Sequence, residues 1–226
     1  MKLKNFIIVI KRRSWAALFS SIFYHLKYLF YKFILNQKYL KKKIYNFKMF
    51  LNLKDKGLSR TLILFGHREL DHKIILEKVV KKNMQILDIG ANIGYYPLIE
   101  RSLIGKEKKI VAIEPVLENI QILKKNLFLN NDNSTVVLEG AVSNKNGYDN
   151  FYVSEHFNLG TFHFEGTSTK FLNKNHSIKV KVFKLIDVCM REGFPDLIRM
   201  DVEGHETKIL EDLIVKLSGS KLTTYN

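Results

Sequence analysis

No acidic residue precedes Asp55, and only four of the chain's 22 acids fall within the first 82 residues. There is a single cysteine, so no disulfide can form within the chain and a disulfide-stapled secreted scaffold is excluded. Cys189 sits in LIDVCM among apolar neighbours and reads as a buried, inert thiol, which fits a reducing compartment. Only three prolines occur in 226 residues that are 46% hydrophobic, which excludes disordered and low-complexity classes. No internal repeat is present. The apolar run FIIVI near the N-terminus is five residues long, too short for an export signal, and no small-residue cleavage site follows it. The chain therefore reads as cytoplasmic.

What is present is positive charge, and it is segregated. Residues 1–82 hold 20 of the 37 Lys and Arg against Asp55, Glu69, Asp71 and Glu77, whereas the remainder holds 17 against 18 acids. A biased composition rich in Lys, Asn, Ile, Phe and Tyr explains the abundance of lysine, not its segregation. A basic arm on a near-neutral body points to an anionic surface or to nucleic acid.

Residues 14–35, SWAALFSSIFYHLKYLFYKFIL, show which. At helical spacing Trp15, Leu18, Phe19, Ile22, Phe23, Leu26, Leu29, Phe30, Phe33 and Ile34 share one sector. Arg13, Ser14, Ser20, Ser21, His25, Lys27 and Lys32 lie opposite, with Tyr24, Tyr28 and Tyr31. A lysine at the centre of a spanning helix costs about 2.5 to 3.5 kcal/mol, and Lys27 is central. The pattern predicts a helix in the headgroup plane, peripheral on the inner membrane face, with residues 11–43 contacting anionic lipid through KRR at 11–13 and KKK at 41–43. The alternative is a helix packed on the protein's own core.

The chain divides into a basic amphipathic segment at 1–45, a hairpin and helix extension at 46–82, an α/β domain at 83–217 and a tail at 218–226. In the extension, KMFLNLKDKGLSRTLILFGHREL predicts a hairpin around Asp55–Gly57 and a helix near Asp71–Lys81. HRELDH, with two His and two acids, lacks a third group at ligand spacing and reads as a solvated turn. From residue 84, strand QILDI, a glycine turn, a helix over 95–103, strand KIVAIEP, a helix over 117–129 and strand TVVLEGAV follow in order. This alternation predicts a parallel sheet. SNKNGYDN and LNKNHS read as breaks around a short antiparallel excursion made of FYV, GTFHF and IKVKVF. Strand DLIRMDV and a helix carrying Ile209, Leu210, Leu213, Ile214 and Leu217 on one stripe complete the domain.

Carboxylates stand at successive strand ends: Asp88, Glu114, Glu139, then Asp201 and Glu203. Opening on one edge of a parallel sheet, they favour a cationic or polyhydroxyl ligand over a phosphate-rich one. Glu114 lies 20 residues after Gly94, where the second strand of a βαβ unit delivers an acid to a ribose. The turn Gly90-Ala-Asn-Ile-Gly94 after Asp88 departs from the dinucleotide pattern and suits a ligand with an ammonium and a sulfonium, as in S-adenosylmethionine.

ILDIGANIG, IVAIEP, LEGAVS and LIRMDVEGHE occur in the order and spacing of FkbM-type S-adenosylmethionine-dependent methyltransferases, and the chain resembles that family from Met49 to Leu217. The resemblance implies a Rossmann-like methyltransferase sheet and methyl transfer to a hydroxyl of a sugar, glycan or natural product. It places Gly90, Ala91, Asn92 and Gly94 at the methionine end of the cofactor, over Asp88, and Glu114 on the ribose. Ala141 falls near the adenine as a backbone contact, and Glu69 as the acid preceding the glycine block. Asp201 and Glu203 face the transferring methyl, with His205 at the mouth as a further base. No metal residue is assigned; a divalent ion on Asp201 and Glu203 stays open. The family fold continues with a fifth strand and an antiparallel pair that SGSKLTTYN does not supply, so a C-terminally truncated fold is expected. An inactive membrane-associated remnant is therefore the alternative. An RNA methyltransferase ranks below it, because the aromatics form an apolar helix face rather than a stacking surface interleaved with arginine.

Overall fold

The computed structural model describes residues 15–34, 36–154, 160–162, 172–202, 204–210 and 214. The chain divides into two compact units, residues 1–71 and 72–226.

In the first unit α1 (Trp15–Leu29) runs into a single π-helical turn, Phe30–Ile34. An antiparallel hairpin follows, β1 (Tyr39–Ile44) and β2 (Phe47–Asn52), then α2 (Leu58–Phe65), on which α1 packs. The hairpin turns at Tyr45–Asn46, with Ile44 paired to Phe47, and not at Asp55–Gly57 as the alternation predicted. The reason is local. The Asp55 carboxylate accepts hydrogen bonds from the Gly57 and Ser59 amides, so Asp-Lys-Gly opens a helix instead of closing a hairpin. LSRTLILF is accordingly helical, ended by Gly66 in the left-handed region at φ 76°.

Strand alternation also splits the KKK run. Lys41 and Lys43 are exposed, whereas Lys42 is buried. Its Nζ donates to the Leu62 and Ile63 carbonyls at 3.1 and 2.7 Å and lies 3.5 Å over the Tyr24 ring. Burial, then the charge of Lys27, lowers its pKa to about 8, and the end carbonyls of α2 offset the cost. The tyrosine and lysine side of α1 is thus the half-buried side, and Phe19, Phe23 and Leu26 face outward. Among the described residues no helix is long and apolar enough to cross a membrane.

The second unit opens in α3 (Leu70–Val79), which begins at the end of the first. Then β3 (Ile86–Ile89), α4 (Tyr95–Ile104), β4 (Ile110–Glu114), α5 (Leu117–Leu129) and β5 (Thr135–Glu139) alternate as the periodicity predicts. ILDI and IVAIE are buried along their whole length, the pattern of central parallel strands covered on both faces.

TVVLEGAV is not one strand. Gly140, at φ 149°, breaks it, and β6 (Ala141–Ser143) enters a different sheet. A Cβ at Gly140 would stand 2.5 Å from the Lys181 carbonyl oxygen, so the bend needs glycine. That second sheet is ordered β6, β9 (Leu172–Lys184), β7 (Gly147–Ser154) and β8 (Gly160–Thr161). LNKNHS is not a break either: β9 runs through it, with Leu172 paired to Ser154 and Ser177 to Tyr152. Cross-strand pairing overrides a turn-forming composition there.

After α6 (Leu185–Glu192), β10 (Leu197–Met200) returns to the first sheet, which is entirely parallel in the order β10-β3-β4-β5. Leu87, Ile89, Val111 and Ile113 pack with Leu185, Val188, Cys189 and Ile209 on one face. From β3 the chain steps outward through β4 to β5, then comes back to the other side of β3. The direction of winding therefore reverses between β3 and β10, the position at which open sheets of this kind take ligands beyond their carboxyl ends.

Candidate active site

The glycine turn leaves β3 at this switch point. Gly90 has φ 87°, and a Cβ there would stand 2.2 Å from the carbonyl oxygen of Asp201, so the end of β10 lies directly against the turn. Gly94, at φ 89°, begins α4, and a Cβ there would meet Leu123 of α5 at 2.7 Å. Asn126 of α5 donates from Nδ2 to the Ile93 carbonyl at 2.8 Å and pins the same turn. Replacing Gly90 with alanine is expected to cost about 1 to 3 kcal/mol in backbone strain and to displace Asp201. Urea denaturation measures it; an unchanged midpoint would mean the turn yields freely.

Every amide of the turn is already engaged. Gly90 and Ala91 donate to the Ile113 carbonyl at 2.9 and 3.0 Å, and Asn92 donates to Glu114 Oε2 at 2.9 Å. Ile93 donates to Asn92 Oδ1 at 2.8 Å, and Gly94 to the Ala91 carbonyl at 3.0 Å. The five amides of the turn are thus committed within the protein and do not form the phosphate cradle of a dinucleotide turn.

Glu114, at the end of β4, is buried. Besides Asn92, its carboxylate accepts from the Val116 amide at 3.1 Å and from Asn119 Nδ2 at 3.0 Å, both on Oε1. Burial pushes its pKa up to about 7 against these three donors. Between the ordinary value of 4.5 and about 7 the folded chain holds a proton that the unfolded chain has released. The associated stability is therefore present below the lower value and lost as pH rises through the upper one, by roughly 3 kcal/mol in all. Glu114→Gln should flatten that part of the stability profile, measured by urea denaturation across the pH range; an unaltered slope would assign it to other groups.

Asp88 meets its cation inside the protein. The parallel register sets Arg199 of β10 beside it, and Arg199 Nη1 donates to Asp88 Oδ1 at 2.8 Å. Asp88, expected as part of the floor under the ligand's positive end, is fully buried and held by this partner, which sequence separation hid. The guanidinium also donates from Nη2 to Asp201 at 3.1 Å and stacks on Tyr96, its Cζ 3.5 Å from the ring centre. Glu100 of α4 completes the cluster. It is fully buried, and neither of its carboxylate oxygens nor Asp88 Oδ2 has a hydrogen-bond partner among the described residues. Burial, then the Asp88 charge, raises the Glu100 pKa well above the ordinary range; burial also raises Asp88, partly offset by Arg199. Arg199 is itself held more firmly protonated, because the three carboxylates outweigh the cost of its burial.

The remaining expected residues separate. Asp201 is exposed at the end of β10. Glu203 lies outside the described residues. His205, expected open at the mouth, is buried: its Nε2 is 3.0 Å from Ser143 Oγ, and its ring packs 4.7 Å from that of Phe162. The turn at Gly204 (φ 90°) aims it inward. Ala141 turns its side chain into the core with Val116 and Val182 while its backbone pairs in β6. Glu69 belongs to the first unit, where it pairs with Arg68 at 2.7 Å. Glu139 is on the exposed side of β5 and pairs with Lys124 at 2.7 Å. A hollow of about 280 Å³ between Lys124, Phe128, Asp132 and Thr135 reaches the amino end of β5, the edge opposite the carboxylates. Among the described residues no group of three His, Cys, Asp or Glu could hold a metal ion.

Arg199, Glu100, Asn119 and Asn126 were not singled out from the sequence. Only the first two carry a signal there, a charge inside an apolar strand and an acid on the buried side of a helix.

The methyltransferase FkbM domain matches residues 88–221, from Asp88 past β10. The chain belongs to the FkbM methyltransferase family. No curated protein shows significant similarity to this FkbM domain protein. Among solved structures, it is similar to M. jannaschii TYW2 in complex with AdoMet, at 14% identity and a TM-score of 0.38, covering 53% of this chain and 65% of that one. It is similar to Trm5b from Pyrococcus abyssi at 17% identity and a TM-score of 0.38, covering 48% and 31%. A third is Methanocaldococcus jannaschii Trm5 in complex with adenosine, at 22% identity and a TM-score of 0.36, covering 46% and 30%. The chain thus spans less than two thirds of the length of each.

Proposed function

We propose that this FkbM protein is an S-adenosylmethionine-dependent O-methyltransferase that acts on a hydroxyl of a sugar, glycan or other natural product. The observation that carries the reading is the switch-point edge. Glu114 and Asp201 stand at the ends of β4 and β10, on either side of a glycine turn whose amides are all engaged.

The residues fit the cofactor. A carboxylate offers about four lone-pair sites, and the three donors on Glu114 leave one for a ribose hydroxyl. The turn amides are committed within the protein, and the absence of a Cβ at Gly90 lets the end of β10 lie against the turn. Bound S-adenosylmethionine supplies an activated methyl donor, so positioning provides much of the rate. The chain's own residues must then orient the acceptor and take its proton. Asp201 does this best: it is an exposed carboxylate held by Arg199 that would accept the hydroxyl proton during transfer. The lone buried Cys189 supports a reducing, cytoplasmic setting.

Isothermal titration of the full chain with S-adenosylmethionine tests the cofactor claim. Binding is expected, weakened about tenfold or more in Glu114→Gln through loss of a charge-assisted hydrogen bond. No heat at millimolar cofactor would sink it. Transfer of labelled methyl to a panel of glycan acceptors, against an RNA control, tests the acceptor class.

A further inference from the structure

The apolar sector of α1 is turned away from its own unit. Phe19, Ile22, Phe23, Leu26, Phe30, Phe33 and Ile34 are each 45–71% exposed and follow one face through α1 and the π-helical turn. The opposite face is the one that packs. Tyr24, Lys27, Tyr28, Tyr31 and Lys32 are half-buried, and the buried ammonium of Lys42 sits over Tyr24. A helix that buries tyrosine and lysine while presenting phenylalanine and leucine to water has an outward partner, because contiguous apolar surface of this kind marks an interaction site.

We propose that this partner is the headgroup layer of an anionic bilayer, with α1 lying in its plane. Among the described residues no helix is long and apolar enough to cross a membrane, and Lys27 and Lys32 lie on the other side of the same helical stretch. Charge selects the lipid. Residues 1–71 carry 16 Lys and Arg against Asp55, Glu69 and Asp71. Lys38, Lys41, Lys43 and Lys48 are exposed close behind the helix in sequence, and Lys32 reaches over the Phe33 ring at the edge of the face. A second copy would bring this excess against itself, whereas anionic headgroups neutralise it. Shape points the same way: seven bulky side chains on one convex helix need a matching groove in a protein, but sink into a fluid interface without one. The inference does not depend on the chemistry proposed above.

Co-sedimentation of the full chain with vesicles tests it. Binding to phosphatidylcholine mixed with phosphatidylserine is expected, with little to phosphatidylcholine alone and release by salt. Phe23→Glu with Leu26→Glu should weaken binding about tenfold or more, with the thermal midpoint kept because both positions are exposed. Lys41→Gln with Lys43→Gln should weaken it about fivefold per charge. Binding indifferent to phosphatidylserine, or unaffected by the Phe23 and Leu26 changes, would overturn the proposal. So would a dimer that the same changes dissociate, or retention by an acidic protein in the absence of vesicle binding.

Discussion

Arg199→Met is expected to destabilise the chain by about 3 to 5 kcal/mol near neutral pH, the cost of stranding a buried charge. The substitution keeps an unbranched apolar stem but removes the guanidinium, and with it the stacking on Tyr96 and both hydrogen bonds, at 2.8 Å to Asp88 and 3.1 Å to Asp201. Asp88 is then left in a fully buried site with Glu100 nearby, and burial already holds both carboxyls above their ordinary range. Without the cation their folded pKa values rise further, while the unfolded values stay put. Below the unfolded values both carboxyls are protonated in either state, so the loss should shrink toward about pH 4 and grow toward pH 8. Urea denaturation at several pH values measures this. Adding Asp88→Asn to Arg199→Met should recover part of the loss, because a pair removed together costs less than one partner removed alone. A loss below about 1 kcal/mol, the range of surface ion pairs, would show that the cluster is hydrated and unimportant to stability.

Asp201→Asn is expected to lower kcat by about 100- to 10,000-fold while leaving S-adenosylmethionine affinity within a factor of about three. The amide keeps an oxygen for Arg199 Nη2 and nearly the same shape, but it cannot take a proton from an alcohol. The split between kcat and cofactor binding is the diagnostic, because a residue that merely supports the Gly90 turn would alter both. Initial rates with a glycan acceptor and titration of the cofactor supply the two readings. A kcat loss under about tenfold would move the base elsewhere, with Glu203, two residues on in the sequence, as the next candidate.

Much of this site was legible before any tertiary information. DIGANIG announces a strand, a tight turn and a helix, because two glycines at that spacing after an apolar run admit few alternatives, and α4 begins at Tyr95 as predicted. Glu114 follows from the length of a βαβ unit, and α5 spans the predicted 117–129. The errors have two causes. Asp55–Gly57 has hairpin composition but caps a helix, and LNKNHS has loop composition but pairs with β7. In the first, the Asp55 carboxylate's own hydrogen bonds to nearby amides chose the helix; in the second, a local propensity of order 1 kcal/mol was overridden by a partner strand elsewhere. His205 was misplaced for the same reason, since its burial depends on Ser143 and Phe162.

The sequence by itself determined the alternation of strands and helices from β3 to β5, the glycine turn, the acids at the strand ends and the two-faced character of α1. These follow from periodicities and turn chemistry that act over a few residues. Only the tertiary structure decided that Asp88 is answered by Arg199, 111 residues away, that Gly140 divides one apolar run between two sheets, and that α1 turns its tyrosines inward. Those outcomes depend on which strand lies beside which and in what register, a property of pairings across the chain that no local pattern records.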